Sequence, residues 1–225
     1  VPTNQQNVLN IARRLPLLKP VAPLGTAFIV TSGTSILKED LRSLPPHNTI
    51  TVNRTFEVVD SLHTFMMDDR LVSWVTENKY GSRDRFLRAG MHRVMPSPLS
   101  PPSGMKLTFP VEYVTRMLQP SLTSYHGAGI YCGCNSGFGA IQLAIWLGAT
   151  RIYLLGFDMH AKEGTHYHGG YGDGSTVDYN IQLDLFRKEL EAFAPQIAEA
   201  GVSVVNLSQG SSLTCFPFKS LKEVL

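Results

Sequence analysis

At 225 residues the chain suits one globular domain, on the usual scale of roughly 100–200 residues per domain. It is 43% hydrophobic and 17% charged, which supports a buried core and excludes a disordered chain. Twenty lysines and arginines against eighteen aspartates and glutamates leave a net charge of +2, too near balance to mark a nucleic-acid or acidic-membrane binder. Three cysteines, two of them in Cys132-Gly133-Cys134, make no disulfide framework and point to a reducing compartment. No apolar run nears the roughly 20 residues of a membrane span, and the first residues carry no signal-peptide core. The expectation is a soluble, cytoplasmic domain.

Residues 1–24 are proline-spaced and read as an N-terminal arm, followed by one domain over 25–225. Ala27-Phe28-Ile29-Val30 is a short continuous apolar run, as in a strand covered on both faces. Ser32-Gly33-Thr34-Ser35 follows, and the spacing of Ile36, Leu37, Leu41 and Leu44 predicts a helix that Pro45-Pro46 stops. Residues 49–52 read as a second strand running into Asn53, and 62–67 as a third ending at Asp68-Asp69, with a helix after it over 71–77. The four prolines of 95–103 predict an irregular loop, and 109–118 suits strand and helix equally.

The alternation resumes at 130–134, a strand end. Asn135-Ser136 suits the N-cap of a helix over 137–147, with Gly148 at its left-handed C-cap. Residues 151–155 form another buried strand. The segment 156–177, with six glycines and three histidines, is too long for a plain connector. Asp178 can cap a long helix reaching about Ala200, with Ile181, Leu185, Phe186, Leu190, Phe193 and Ile197 as its buried stripe. Residues 202–206 are the last strand. Strands alternating with helices predict an α/β fold: a Rossmann-like, mostly parallel sheet flanked by helices, in a single domain.

In such sheets ligands bind beyond the carboxyl ends of the strands, where this chain carries its small, polar and ionisable residues. Ser32-Gly33-Thr34-Ser35 suits a phosphate or nucleotide, or else is a capped turn. It is neither a Walker loop nor a dinucleotide fingerprint. Asn135-Ser136-Gly137 opens a helix with little bulk, so a nucleotide could approach its backbone. Asp158, His160, His166 and His168 form the densest ionisable group. A histidine can take a proton from a hydroxyl at neutral pH, a tyrosine such as Tyr167 can donate to a departing phosphate, and the four together could hold a divalent metal. Asp68-Asp69 suits a magnesium ion beside phosphates, or else Asp69 caps the next helix. Cys215, beside Phe216-Pro217-Phe218, reads as packing, as do Trp74 and Trp146.

The segment 29–36, Ile-Val-Thr-Ser-Gly-Thr-Ser-Ile, resembles the N-terminal GxGPSL loop of bacterial sialyltransferases of the Campylobacter type. A wider DUF115-like group, with archaeal pterin pyrophosphokinases in it, shares that loop. Residues 134–158 are similar to the same enzymes' TSG…A…A..LG…IYL.G.D segment, and Thr165-His166-Tyr167-His168-Gly169 to their SHYxGH stretch. The likeness touches about half the chain, in order. Its HYHG and TCFP stretches resemble phage and prophage proteins, for which the compartment would be the host cytoplasm.

The resemblance implies a GT-A-like fold and a nucleotide-sugar donor, with a CMP-sugar favoured. Ser32, Gly33, Thr34 and Ser35 would meet the nucleotide and phosphate, with Asn53, Asp68 and Asp158 also on the donor. Asn135, Ser136 and Gly137 would lie beside sugar and nucleotide. His160 falls at a tyrosine that stabilises the leaving phosphate. The family's catalytic histidine falls near Gly170, so His166 or His168 would have to serve as base. The implied activity is glycosyl transfer to a glycan, small-molecule or modified-DNA hydroxyl. A magnesium- and ATP-dependent pyrophosphokinase, and a nucleotide-binding phage protein without turnover, are the alternatives.

Overall fold

The computed structural model describes residues 23–67, 92–97, 112–117, 129–133, 135–169 and 179–225, with a few single positions between them. Eight strands among these residues form one sheet: β1 (Gly25–Val30), β2 (Thr49–Val52), β3 (His63–Phe65), β4 (His92–Ser97), β5 (Glu112–Met117), β6 (Ile130–Tyr131), β7 (Ala149–Leu155) and β8 (Ser203–Asn206). Their order is β6-β5-β4-β3-β2-β1-β7-β8, and every pair is parallel. Strand order runs outward one way from β1 to β6, then reverses to β7 and β8. The reversal lies between β1 and β7, where parallel α/β sheets hold their ligands.

The apolar run of β1 is buried on both faces because its alternate residues feed two cores. Ala27 and Ile29 pack with Ile50, Ile152 and Leu154 in the core shared with two α-helices, α1 (Ser136–Trp146) and α2 (Tyr179–Glu199). Phe28 and Val30 face the opposite layer, with Ile36, Leu44, Leu155 and Leu221. Phe28 is the register partner of Tyr153, and their rings stack at 5.0 Å. Leu24 already packs on the first core and donates its N–H to the Leu147 carbonyl, so the chain joins the sheet body one residue before β1.

Several expected elements differ. The helix expected over 36–44 is instead two 3-10 turns, Thr34–Lys38 and Leu41–Ser43. Glu39 between them is extended, the Asp40 carboxylate accepts from Arg42 N–H to start the second turn, and Leu37 stands in solvent. Within the proline-rich stretch, Met95, Pro96 and Ser97 belong to β4. Pro96 is tolerated because β4 pairs with β3 only through Val94, and beyond it with β5 alone. The ambiguous 109–118 stretch contains β5. On α2 only Leu190, Phe193 and Ile197 of the expected stripe are buried; Ile181 and Leu185 are exposed. Trp146 is core, as expected, and Cys215 is exposed rather than packed. Residues 72–76 of the helix expected over 71–77, most of the arm, Trp74 and Asp68-Asp69 lie outside the described residues; Leu71 is helical and buried.

Candidate functional site

Because every strand runs the same way, the ends of β1, β2, β6, β7 and β8 share one edge of the sheet. Ser32-Gly33, Asn53, Asn135 and Asp158 follow the first four of those ends, and Asn206 is the last residue of β8. At the reversal point the two loops are joined. Gly33 N–H donates to the Gly156 carbonyl at 3.1 Å, and the Thr31 hydroxyl donates to the same oxygen at 2.6 Å. A Cβ at Gly33 would lie 2.2 Å from that carbonyl oxygen, so only glycine allows the approach. Asp158 is buried and accepts from the Thr34 hydroxyl at 3.2 Å, from Ser35 N–H at 3.0 Å, and from the Ser35 hydroxyl. Its carboxylate therefore clasps the β1 loop. Since the loop enters a five-residue 3-10 turn and not an α-helix, it has no helix dipole to offer a phosphate.

The α1 terminus is built as the sequence predicts. Asn135 Oδ1 accepts from Gly137 N–H at 2.8 Å, which fixes the amide and leaves Nδ2 as its free donor end. That Nδ2 is buried and has no partner among the described residues. The small residues that follow have a packing reason. A Cβ at Gly137 would lie 2.8 Å from the Phe157 ring, and one at Gly139 would lie 2.4 Å from the Phe65 ring. Phe157, rather than open space, fills the gap beside Gly137. Asn53, at the end of β2, has a left-handed φ of 55°, uncommon for a residue with a side chain. Its Oδ1 is also buried and without a partner among the described residues.

The histidine loop is strapped across this edge. Tyr167 N–H donates to the Ser32 carbonyl at 2.8 Å, and its hydroxyl donates to the Arg54 carbonyl at 2.7 Å. The hydroxyl expected to face a departing phosphate is thus committed inside the protein. His166 and His168 stack at 4.9 Å with 20° between their planes. His166 Nε2 lies 3.0 Å from the Tyr179 hydroxyl, and its Nδ1 3.0 Å from the Thr165 hydroxyl. Burial raises the Tyr179 phenol above its ordinary pKa, so it stays protonated at neutral pH. Arg54 Nη1 meets His168 Nδ1 at 3.4 Å, while the guanidinium grips both carboxylate oxygens of Glu57 at 2.9 Å each.

Sequence reasoning missed Arg54, Glu57 and Tyr179. The one available signal was the position of Arg54, directly after the strand-end Asn53.

His160 lies elsewhere. Its Nε2 meets the Gly210 carbonyl at 3.1 Å and its Nδ1 receives Lys162 N–H, so it joins the loop after β8 and not the stacked pair. Asn206 and Ser208 serve that same loop: Asn206 accepts from Ser208 N–H and donates to the Leu213 carbonyl, and the Ser208 hydroxyl receives Phe157 N–H. The described residues bring no three histidine, cysteine, aspartate or glutamate side chains together as a metal site, so Asp158, His160, His166 and His168 are not one ligand set. No described helix is long and apolar enough to cross a membrane.

No protein-family model matches the sequence, and no curated protein matches it. The DUF115-like and phage resemblances therefore rest on the sequence motifs alone. Among solved structures, the sialyltransferase CstII from Campylobacter jejuni, in complex with the substrate analogue cytidine-5'-monophosphate, is similar to this chain. The TM-score is 0.48 at 13% identity, over 88% of this chain and 86% of that one.

Proposed function

We propose that the chain transfers a sugar from a nucleotide-sugar, a CMP-sugar in the first instance, to an acceptor hydroxyl. The observation that carries this reading is a pair of buried amide atoms without partners among the described residues, the acceptor Asn53 Oδ1 and the donor Asn135 Nδ2, on the ligand-binding edge of a parallel sheet. Buried polar atoms are nearly always hydrogen-bonded, and a polar ligand would satisfy both. The motif resemblance assigns these two positions, with Ser32, Gly33, Ser136 and Gly137, to donor binding. Thr34, Ser35 and Asp158 would act by holding the β1 loop in shape, and the motif resemblance adds Asp68 to the donor contacts.

His166 is the base in this reading. Its Nε2 is hydrogen-bonded to the protonated Tyr179 hydroxyl, a contact that an acceptor hydroxyl would replace in this reading. The acceptor O–H proton passes to Nε2 as the oxygen bonds to the anomeric carbon. The anomeric carbon–phosphate bond breaks, and its electron pair leaves with the nucleotide. His160, earlier in the same loop, would face the leaving phosphate by exchanging its bond to the Gly210 carbonyl for one to the donor.

The test is thermal melting with CMP, UDP, GDP, ADP and ATP, each with magnesium and with EDTA, followed by transfer assays with the best donor. A ligand that binds the folded state alone raises the melting temperature. Stabilisation by CMP in EDTA is expected. Stabilisation by ATP and magnesium alone would favour phosphoryl transfer, and no response to any nucleotide would remove the reading.

A further inference from the structure

His166 and His168 are stacked side by side, yet their surroundings are chemically unequal. His168 Nδ1 faces Arg54 Nη1 at 3.4 Å. A guanidinium has donors and no acceptor, so that ring nitrogen must be the accepting one. Arg54 cannot swing away easily: Glu57 holds its Nε and Nη2, which leaves Nη1 for His168, and the two side chains are only 12% and 17% exposed. The same residue fixes the neighbouring backbone, because the Arg54 carbonyl receives the Tyr167 hydroxyl at 2.7 Å. Tyr167 N–H is in turn bound to Ser32. His168 is thereby oriented from two directions by one residue at the end of β2.

We propose that Arg54 is a positioning residue that holds His168 as its Nε2–H tautomer, making His168 the fixed platform on which His166 stacks and leaving proton uptake to His166. The lone pair of His168 Nδ1 points at a cation, so it is not offered to an acceptor hydroxyl. His166 has hydroxyl groups at both ring nitrogens, and these can exchange donor and acceptor roles as its proton comes and goes. The division of roles rests on the glycosyl-transfer reading above; the tautomer of His168 does not.

The test reads the tautomer directly, by imidazole nitrogen–proton correlation spectra of uniformly ¹⁵N-labelled protein at several neutral pH values. His168→Gln identifies the His168 signals by their loss. The expected wild-type spectrum has an unprotonated Nδ1 and a protonated Nε2 on His168. Arg54→Gln should move those signals toward the mixture of a free imidazole, and Arg54→Lys should restore part of the original form. A protonated Nδ1 in the wild-type protein overturns the proposal, as does an Arg54→Gln spectrum in which His168 is unchanged. If Arg54→Gln fails to fold, the wild-type spectrum still decides, with Glu57→Gln as the second variant.

In a transfer assay, Arg54→Gln should lower kcat roughly tenfold or more through misplacement of His166, with a smaller change in KM and an altered pH profile. A protein with the expected tautomer that transfers no sugar overturns the assigned division of roles while the tautomer stands.

Discussion

Ser35 gives both its amide N–H and its hydroxyl to the carboxylate of Asp158, a residue 123 positions later in the chain. This contact ties the loop after β1 to the loop after β7 at the point where strand order reverses. Asp158→Ala should leave three donors without their acceptor, since Thr34 loses its partner too. The cost should be about 3 kcal/mol, the scale for hydrogen bonds to a charged group. Urea denaturation should show a lower midpoint at unchanged slope, with Asp158→Asn falling in between.

Gly139→Ala should place a methyl group 2.4 Å from the Phe65 ring and 2.9 Å from Cys132 Sγ. Overpacking of this kind costs about 1–3 kcal/mol. Phe65→Leu alone should also destabilise, by leaving space. The double variant should be more stable than the two single losses added together, because the sites touch. Strict additivity would show that the helix moves away from the sheet instead.

Tyr179 gives a pH dependence of defined sign. Burial raises its phenol above the ordinary value of 10.0, so the folded protein keeps a proton that the unfolded chain has released. Its contribution is complete below pH 10, falls as pH rises from there, and levels off above the folded pKa. The alkaline decline in stability should therefore be shallower in Tyr179→Phe than in the wild-type protein. Equal declines would place this phenol in water.

Cys215 is exposed, yet burial of its thiol, with the Glu191 carboxylate acting in the same direction, pushes its pKa up to about 11. At pH 8 the reactive thiolate should be on the order of one part in 1,000. Alkylation by iodoacetamide should be slow, and Glu191→Gln should speed it. Rapid labelling of the wild-type protein at pH 8 would contradict this electrostatic account.

The architecture was legible because β1 and β7 are continuous apolar runs, which buried parallel strands require. The stretch 36–44 misled because its four apolar residues fit a helical stripe while the backbone breaks at Glu39, and Leu37 has nothing to pack against. Spacing records which residues are apolar, not whether a layer exists to cover them; Ile181 and Leu185 on α2 repeat that lesson. At the candidate site the residue types and their shared edge were readable. Their bonding was not, because it joins segments more than 100 residues apart: Asp158 to Ser35, Tyr167 to Ser32, His168 to Arg54. That bonding separates His168 from His166, and His160 from both, a distinction absent from the clustered sequence.

β1 sits between β2, its near neighbour in sequence, and β7, which begins 119 residues after β1 ends. A chain emerging from the ribosome would thus hold this buried strand with one flank unzipped until those 119 residues and β7 itself had been made. Such long-range closure slows folding and lengthens the interval in which that flank can recruit another copy. Completing the fold and assembling the candidate site are then the same late event, since the docking of β7 also delivers Asp158 to Ser35.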